Sequence, residues 1–288
     1  MEVVSFCNVC HGKEIRQIDA ACNLCRCDSC GFVFDSPRPT LAELIAFYSQ
    51  PTKYDSWLAA ERARDILWKR RLRKMLRHRL GGSLLDVGTG IGQFLHHARP
   101  YFTHIAGTEV SESAIGIARG KYGLNILKGT VEDLELEPAS FDVVTLFHVL
   151  EHVPDPTLLI GRCKALLKSG GLLFIAVPNE VLAWTFTARK TGKRLGLGRF
   201  QKFSAAIGVP KACTSSEVHL SHFTPDVLAR LLESRGFSIL EQSLDPYYAE
   251  SGLRWMAHTA YYALHRVVWS IARRNRYDTI WMVARKPE

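Results

Sequence analysis

The stretch LLDVGTGIGQFLHH, residues 84–97, decides the fold of this chain. It begins as a short apolar run that ends in Asp86, and glycines follow at every second position, as Gly88, Gly90 and Gly92. The remainder has the composition of a helix. A strand, a glycine turn and a helix in this order let a ligand approach the backbone closely. The stretch therefore predicts a nucleotide-type ligand at the end of a buried strand.

Strands and helices alternate from residue 83 onward, and the strands are short, nearly continuous apolar runs. This pattern indicates an α/β fold with a parallel sheet covered by helices on both faces. Strands are predicted over 83–88, 104–110, 125–130, 141–149, 172–180, 237–244 and 278–286. Helices are predicted over 92–100, 111–123, 223–237 and 156–171, the last ending at its glycine pair. Residues 181–217 read as loop and broken helix.

Asp86 and Glu109 restrict the kind of ligand. Glu109 ends the second strand, and an acid at that place can accept both hydroxyls of a ribose. The dinucleotide fingerprint requires a third glycine where this chain has Gln93. A carboxylate at the strand tip would also repel a pyrophosphate, since two unit charges about 4 Å apart interact by roughly 4 kcal/mol at an effective dielectric of 20. We therefore expect a ligand that carries an ammonium and a sulfonium group.

Five segments, in this order, resemble the class I S-adenosylmethionine-dependent methyltransferases. They are LLDVGTGIG (84–92), GTEVS (107–111), GTVEDL (129–134), FDVVTLFHVLEHVPDP (141–156) and GGLLFIAVPN (170–179). A sixth, HLSHFTPDVLARLLESRGF (219–237), resembles bacterial members, some of which have an N-terminal zinc ribbon. The resemblance implies a Rossmann-like, doubly wound, seven-stranded sheet whose last strand is antiparallel. It also implies S-adenosyl-L-methionine as the cofactor.

The resemblance assigns a cofactor-binding role to residues at the ends of four strands. Those expected along the methionine part, with Asp86 near its amino group, are Asp86, Gly88, Thr89, Gly90 and Gly92. Glu109 would hold the ribose hydroxyls, beside Val110. Residues expected around the adenine and near the reacting methyl are Thr130, Val131, Glu132, Phe147 and His148. Ordinary packing at a strand end is the alternative for each flanking residue.

Six of the eight cysteines lie in the first 30 residues. The spacing Cys7-x2-Cys10, a gap of 16 residues, then Cys27-x2-Cys30 is typical of a zinc ribbon, and clustered thiols in a reducing compartment indicate metal. Four filled ligand positions make such a zinc structural. Whether Cys22 or Cys25 joins the site stays open at this point. Cys163 and Cys213 stand alone and are expected to be small buried residues.

Charge and organisation complete the prediction. We expect a zinc ribbon over 1–36, a linker with helices over 37–82, and a methyltransferase domain over 83–288 that carries a helical insertion over 245–277. Within the linker helices, one buried apolar stripe is expected at Trp68, Leu72, Met75, Leu76 and Leu80. The formal net charge is +9, and basic runs over 61–80 and 188–202 fit phosphates or an anionic membrane, or are simply solvated faces. The amphipathic helix within the insertion is expected to act as a lid, to pack on the core, or to make a peripheral membrane or dimer contact through 253–272. The N-terminus resembles no signal peptide, so a cytoplasmic location is expected, with peripheral membrane contact as an extension.

Methyl transfer to a hydroxyl requires a base, and four histidines are candidates: His148, His152, His219 and His222. No N-P-P-Y-like stretch follows the fourth strand, which favours a small-molecule, sugar or glycan, or lipid-like acceptor, with transfer to oxygen. The alternative is a zinc-ribbon methyltransferase acting on ribosomal RNA bases, which the basic charge fits. A third interpretation is a binding module that has lost catalysis, against which the intact glycine loop argues.

Overall fold

The N-terminal residues form a small antiparallel sheet. The computed structural model describes residues 1–78, 81–210, 217–246 and 252–288; the predictions for Leu80, for Cys213 and for parts of 181–217 and 245–277 lie outside the described residues. The first strands are β1 (Ile15–Asp19), β2 (Leu24–Cys27) and β3 (Val33–Asp35). A turn before β1 and the turn between β2 and β3 carry the two predicted cysteine pairs, and the four sulfurs lie close together.

Three helices lead from the ribbon to the main sheet. They are α1 (Leu41–Tyr48), α2 (Asp55–Ala59) and α3 (Glu61–Met75). Helix α1 begins with a capping box in which Thr40 and Glu43 bind each other's backbone N–H groups, so two otherwise unpaired donors are satisfied. Within α3 the predicted apolar stripe is confirmed, because Trp68, Leu72 and Met75 are buried.

Strands and helices then alternate as predicted. In chain order they are β4 (Ser83–Val87), α4 (Gln93–Ala98), β5 (His104–Glu109), α5 (Glu112–Tyr122), β6 (Leu127–Lys128), β7 (Phe141–Phe147), α6 (Pro156–Leu166) and β8 (Leu167–Pro178). The chain continues with α7 (Trp184–Arg194), β9 (Ser221–His222), α8 (Pro225–Ser234), β10 (Ser238–Leu244), α9 (Gly252–Ala272) and β11 (Thr279–Arg285). Among the described residues no helix is both long enough and apolar enough to cross a bilayer.

The main sheet has seven strands in the order β10-β11-β8-β7-β4-β5-β6. Strands β4 to β8 are parallel to one another, and β11 is antiparallel to both β8 and β10. This confirms the predicted doubly wound sheet with an antiparallel last strand. Strand β4 lies between β5 and β7, so the strand order reverses beside it, and ligands of such sheets bind at that reversal.

The prediction of one helix over 156–171 is wrong. Helix α6 ends at Leu166, and β8 begins at Leu167 and continues through Gly170 and Gly171. The sheet decides this boundary, because Leu167 pairs with Phe141 of β7 and the Gly170 N–H donates to the Lys286 carbonyl at 3.0 Å. Residues 165–167 are apolar and fit the spacing of a helix or of a strand, so the sequence alone does not show where α6 ends and β8 begins.

The ribbon shares its sheet and its core with the rest of the chain. Strand β9 pairs with β3, with Val33 opposite His222 and Phe34 opposite Ser221, which makes a four-stranded sheet β1-β2-β3-β9. Phe32 of the ribbon also packs on Phe223, with ring centroids 5.3 Å apart. The N-terminal segment is therefore built into the wall of the larger unit.

Candidate active site

A cavity of about 470 Å³ lies at the carboxyl ends of β4, β5 and β7, where the strand order reverses. Helices α1 and α2, which precede the main sheet in the chain, form another part of the cavity wall. Side chains of these helices and of the turn between them that line the cavity include Leu41, Leu44, Ile45, Tyr48, Tyr54 and Trp57. The cavity thus has a floor of strand ends and a largely apolar roof.

The glycine loop forms part of the floor. Gly88 and Gly90 have φ angles of +65° and +56°, a region that favours glycine, and both line the cavity. A Cβ on Gly88 would lie 2.6 Å from Val149 Cγ2. Gly92 is placed differently: it begins α4, and a Cβ there would lie 2.7 Å from Leu124 Cδ1, away from the cavity lining. Gly92 therefore allows the close packing of α4.

Asp86 is buried at the tip of β4 and lines the cavity. Its carboxylate accepts hydrogen bonds from the hydroxyls of Thr89 at 2.6 Å and Thr145 at 2.5 Å. Burial raises the pKa of Asp86 to about 6, although both hydroxyls favour the anion. A cation brought into the cavity would therefore stabilise the ionised form.

Glu109 ends β5 on the other side of the glycine loop. Its Oε1 accepts from the N–H groups of Val110 and Ser111, and its Oε2 accepts from Gly90 N–H at 2.8 Å. A carboxylate has about four lone-pair positions, so roughly one remains for a hydroxyl without any rearrangement. Burial raises the pKa of Glu109, and the three N–H groups oppose that shift.

The remaining predicted cofactor residues also lie on the lining. Those after β5 and β6 and at the end of β7 are Val110, Thr130, Val131, Glu132, Phe147 and His148, and Thr89 lies beside the glycines. Leu158 and Leu159 of α6 line the cavity as well. Apolar side chains on this side offer contact area for a flat ring.

His148 and His152 line the cavity, and their hydrogen bonds define different tautomers. Arg71 donates from Nη2 to His148 Nε2 at 2.8 Å, so Nδ1 of His148 carries the proton and donates to Glu151. His152 Nδ1 lies 2.6 Å from the Val218 carbonyl and donates to it, which leaves Nε2 with a lone pair. Burial, together with the nearby positive charge on His219, lowers the pKa of His152 to about 4.

His219 and His222 lie outside the cavity lining and belong to a buried chain of ion pairs. Glu180 accepts from Nδ1 of His219 at 2.8 Å and from Nδ1 of His222 at 2.5 Å. Burial would lower the pKa of each histidine, but the carboxylates outweigh it and raise the pKa of His222 to about 9 and that of His219 well above its usual value. Both rings are therefore cationic at neutral pH. A general base must be unprotonated, so neither histidine is suited to that role in this state.

Glu151, His152 and His219 place one possible metal-ligand atom each within 4.8 Å of one another. An imidazolium has no free lone pair, so His219 would have to release its proton before it could bind a metal. Burial raises the pKa of Glu151 to about 8, which likewise favours its neutral form. The arrangement in this state is a hydrogen-bonded network.

The ribbon cysteines meet at a second site. The sulfurs of Cys7, Cys10, Cys27 and Cys30 all lie within 4.8 Å of one another, and the pairs Cys7–Cys30 and Cys10–Cys27 are 3.5 and 3.6 Å apart. Tetrahedral zinc with Zn–S bonds of about 2.3 Å spaces its sulfurs by about 3.8 Å, so the donor set fits that ion. Cys25 lies outside the cluster and is 3.8 Å from the Ser36 carbonyl, and Cys22 is buried elsewhere.

Sequence reasoning missed the role of α3. Arg71 is fully buried, pairs with Asp245 at 2.5 Å and holds His148. Lys74 reaches Ser243 and Glu241, and burial lowers its pKa to about 8. The sequence contained one sign of this role: Arg71 and Lys74 are neighbours of Trp68, Leu72 and Met75 along the predicted buried stripe of α3.

Comparison with known proteins agrees with this geometry. Residues 59–242 match the family model described as Methyltransferase domain. The chain is 35% identical over 105 residues to the ubiquinone biosynthesis O-methyltransferase of Coxiella burnetii and 36% identical over 109 residues to that of Xanthomonas euvesicatoria. These matches cover 35% and 36% of this chain and 45% and 46% of the relatives, so the chain spans less than half the length of the curated relatives it matches. A methyltransferase structure from Listeria monocytogenes, 19% identical, superposes with a TM-score of 0.55 over 78% of this chain and 99% of that one, which shows the fold.

Proposed function

Because this chain belongs to the class I S-adenosylmethionine-dependent methyltransferases, we propose that it transfers a methyl group from S-adenosyl-L-methionine to an oxygen of a small, apolar acceptor. The observation that carries the proposal is the pair of acids on either side of the glycine loop. Asp86 and Glu109 lie at the ends of adjacent strands and face one cavity. Asp86 is suited to an ammonium group and Glu109 to a ribose hydroxyl.

The acceptor class is inferred from the roof of the cavity. Leu41, Leu44 and Ile45 of α1 give it an apolar wall, and Tyr48 adds an aromatic ring. The relatives named ubiquinone biosynthesis O-methyltransferase support an oxygen acceptor on a small molecule. We therefore favour a lipid-like or aromatic hydroxyl compound over a sugar or glycan.

Positioning carries most of the chemistry. When bound, S-adenosyl-L-methionine supplies a methyl group on a sulfonium that is already a good leaving group. Asp86 and Glu109 orient the cofactor, and α1 holds the acceptor over Phe147 and His148 at the end of β7. His152 takes the proton of the acceptor, since its Nε2 is unprotonated and it lines the cavity. His148 is a positioning residue and not the base, because its Nε2 already accepts a hydrogen bond from Arg71.

We further propose that Cys7, Cys10, Cys27 and Cys30 hold one structural Zn²⁺. The sulfur geometry supports this, and all four positions of a tetrahedral ion are filled. The ion would stabilise a segment of about 30 residues that is too small to form a sufficient core alone.

Calorimetric titration with S-adenosyl-L-methionine tests cofactor binding. We expect Asp86→Asn and Glu109→Gln each to weaken binding at least tenfold. Glu112→Gln is the matched control, because Glu112 is an exposed acid at the start of α5, three residues after Glu109. This variant should bind the cofactor like the unchanged protein. No heat at millimolar cofactor would remove the proposed activity.

A labelled-methyl assay with alkyl phenols and catechols, sugars and total RNA then tests the acceptor. The proposal predicts label in the phenolic fraction. Label confined to sugar or RNA would contradict the acceptor class while leaving cofactor binding intact.

A specific observation supports the RNA alternative as a second candidate. A groove of about 680 Å³ between the ribbon and α7 is lined by Arg16, Arg26, Lys190, Arg194 and Arg230, with Asp226 as the acid among its lining residues. Such a groove suits phosphates. It shares no lining residue with the cavity, which is why this function ranks second. A steep fall of RNA affinity with salt would favour it, and a negligible slope would remove it.

A further inference from the structure

The exposed apolar side chains of this protein are concentrated in one region. Among the described residues, half of the large apolar side chains that are exposed lie in the segments 184–197 and 253–271. They are Trp184, Leu195, Leu197, Leu253, Trp255, Met256, Leu264, Val267 and Ile271. Single exposed apolar residues are ordinary, but a concentration of this kind marks an interaction surface.

Helix α9 presents most of this surface as a stripe. At 3.6 residues per turn, its exposed aliphatic positions fall within about one quarter of the helix circumference. These positions are Leu253, Met256, Leu264, Val267 and Ile271, and Leu253 and Ile271 are 83% and 80% exposed. The opposite side packs inward, where Tyr261 and His265 contact Tyr277. The helix is thus held by an aromatic face and leaves its aliphatic face to solvent.

Helix α7 is fastened beside α9. The rings of Trp184 and His265 are 4.7 Å apart, and Trp184 N–H donates to the Arg276 carbonyl at 3.0 Å. The N-terminus of α7 therefore lies next to the C-terminal half of α9, and we call the two segments together the α7/α9 surface. It consists of residues 184–197 and 252–276.

The charge of the same region has one sign. Residues 184–197 and 252–276 contain nine lysines and arginines and no aspartate or glutamate. That charge equals the formal net +9 of the whole chain, so the remaining residues carry no net charge. Arg254 and Arg266 lie on α9, Arg274 follows its C-terminal end, and all three are exposed. Asp278 lies beneath this region, where it accepts a hydrogen bond from Thr185. An apolar stripe flanked mainly by cationic side chains is the composition of a helix that lies in a membrane interface.

We propose that the α7/α9 surface docks the protein on an anionic lipid bilayer, with α9 lying in the plane of the interface. The aliphatic stripe enters the acyl boundary, and the surrounding arginines and lysines contact lipid phosphates. Charge complementarity selects this occupant over a second copy of the chain, since two such cationic faces would repel each other. The inference does not depend on which acceptor the cavity takes.

Vesicle flotation of the full chain tests the proposal. Vesicles of phosphatidylcholine alone are compared with vesicles that contain about 30% phosphatidylglycerol, at low salt and at about 0.15 M salt. We expect at least tenfold stronger binding to the anionic vesicles, weakened by salt. The variant Met256→Ser/Leu264→Ser/Val267→Ser should lose binding at least tenfold, and Arg254→Gln/Arg266→Gln/Arg274→Gln should lose the preference for anionic lipid.

Matched controls carry the same substitutions elsewhere. Ile66→Ser/Leu240→Ser removes exposed apolar groups from α3 and β10, and Arg62→Gln/Lys69→Gln removes exposed cations from α3. Both should bind vesicles as the unchanged protein does, and thermal melting checks that every variant is folded. Equal binding by the stripe variant and the unchanged protein would overturn the proposal. So would a lipid-free dimer in sedimentation that the stripe variant abolishes, because the surface would then belong to a second copy.

Discussion

Nε2 of His222 lies 3.0 Å from Oδ1 of Asp35, and this ion pair joins residues 187 positions apart in the sequence. His222 also donates from Nδ1 to Glu180, so one buried imidazolium links the ribbon to the segment that follows β8. The ribbon is therefore joined to the rest of the chain by charge as well as by the pairing of β3 with β9.

Folding stability should fall as pH rises from about 6.5 to 9. The pKa of His222 is raised to about 9, above the value near 6.5 expected in the unfolded chain. The stabilisation is thus fully present below pH 6.5 and is lost as pH rises through 9, by about 3 kcal/mol in total. Thermal melts across this range measure it. The variant His222→Gln should flatten part of the decline, whereas His104→Gln, at an exposed position, should leave it unchanged; a flat profile for the unchanged protein would contradict this prediction.

Cofactor affinity should rise with pH up to about 6 and then level off. Asp86 has a pKa of about 6 in the free protein, and a bound ammonium group lowers it, so binding releases a proton at acidic pH. Calorimetry in two buffers of different ionisation enthalpy measures that release. Asp86→Asn should bind weakly at every pH and should melt no lower than the unchanged protein, since it removes a buried charge. An affinity that does not change between pH 5 and 7 would rule out this linkage.

Removal of the ribbon metal should disturb more than the ribbon. Elemental analysis should find one zinc per chain, and Cys10→Ser should lose it. Without the ion the pairing of β3 with β9 weakens, so the amides of Ser221 and His222 should exchange faster with deuterium. Cys25→Ser, outside the cluster, serves as the control and should keep its zinc. Full zinc content in the Cys10→Ser protein would show that these four sulfurs are not the ligands.

The pair Arg71–Asp245 should be costly to break from one side. Both side chains are fully buried, so Asp245→Asn leaves an uncompensated charge and should destabilise folding by about 3–5 kcal/mol. Denaturant unfolding measures the loss. The double variant Arg71→Met/Asp245→Leu should recover much of it, because no buried charge remains. If the double variant is less stable than Asp245→Asn, the cost lies in lost packing and the charge argument fails.

His152→Asn should lower kcat by about 10²–10⁴ while cofactor binding is retained. The reason is that His152 lines the cavity, and its pKa of about 4 keeps it unprotonated over the working range. Steady-state kinetics with a phenolic acceptor measure the effect. His222→Asn is the contrasting variant and should reduce stability with little change in kcat. Equal losses of kcat in both variants would indicate a structural role for His152.

Local patterns determined much of the fold. Alternating apolar runs and helical segments are enough to predict a parallel sheet, and the glycines after Asp86 mark its first turn. The cysteine spacing predicts four ligands because tight turns place such pairs side by side. Thr224 and Ser111 are residue types that favour helix N-caps, and each accepts a backbone N–H at the start of its helix. These features depend on neighbours a few residues apart, which a sequence displays directly.

Other features depend on contacts that a sequence does not display. The end of α6 is set by pairing with β7, and the burial of Arg71 depends on Asp245, 174 positions away. The sequence of α9 shows which residues share a face, but whether that face is covered depends on what packs against it. The sequence by itself determined the order of strands and helices along the chain, and it indicated the two acids of the candidate cofactor site. Only the tertiary structure decided which histidines are neutral, how the ribbon joins the main sheet's core, and that the aliphatic side of α9 is left to solvent, because burial and charge pairing arise between distant segments.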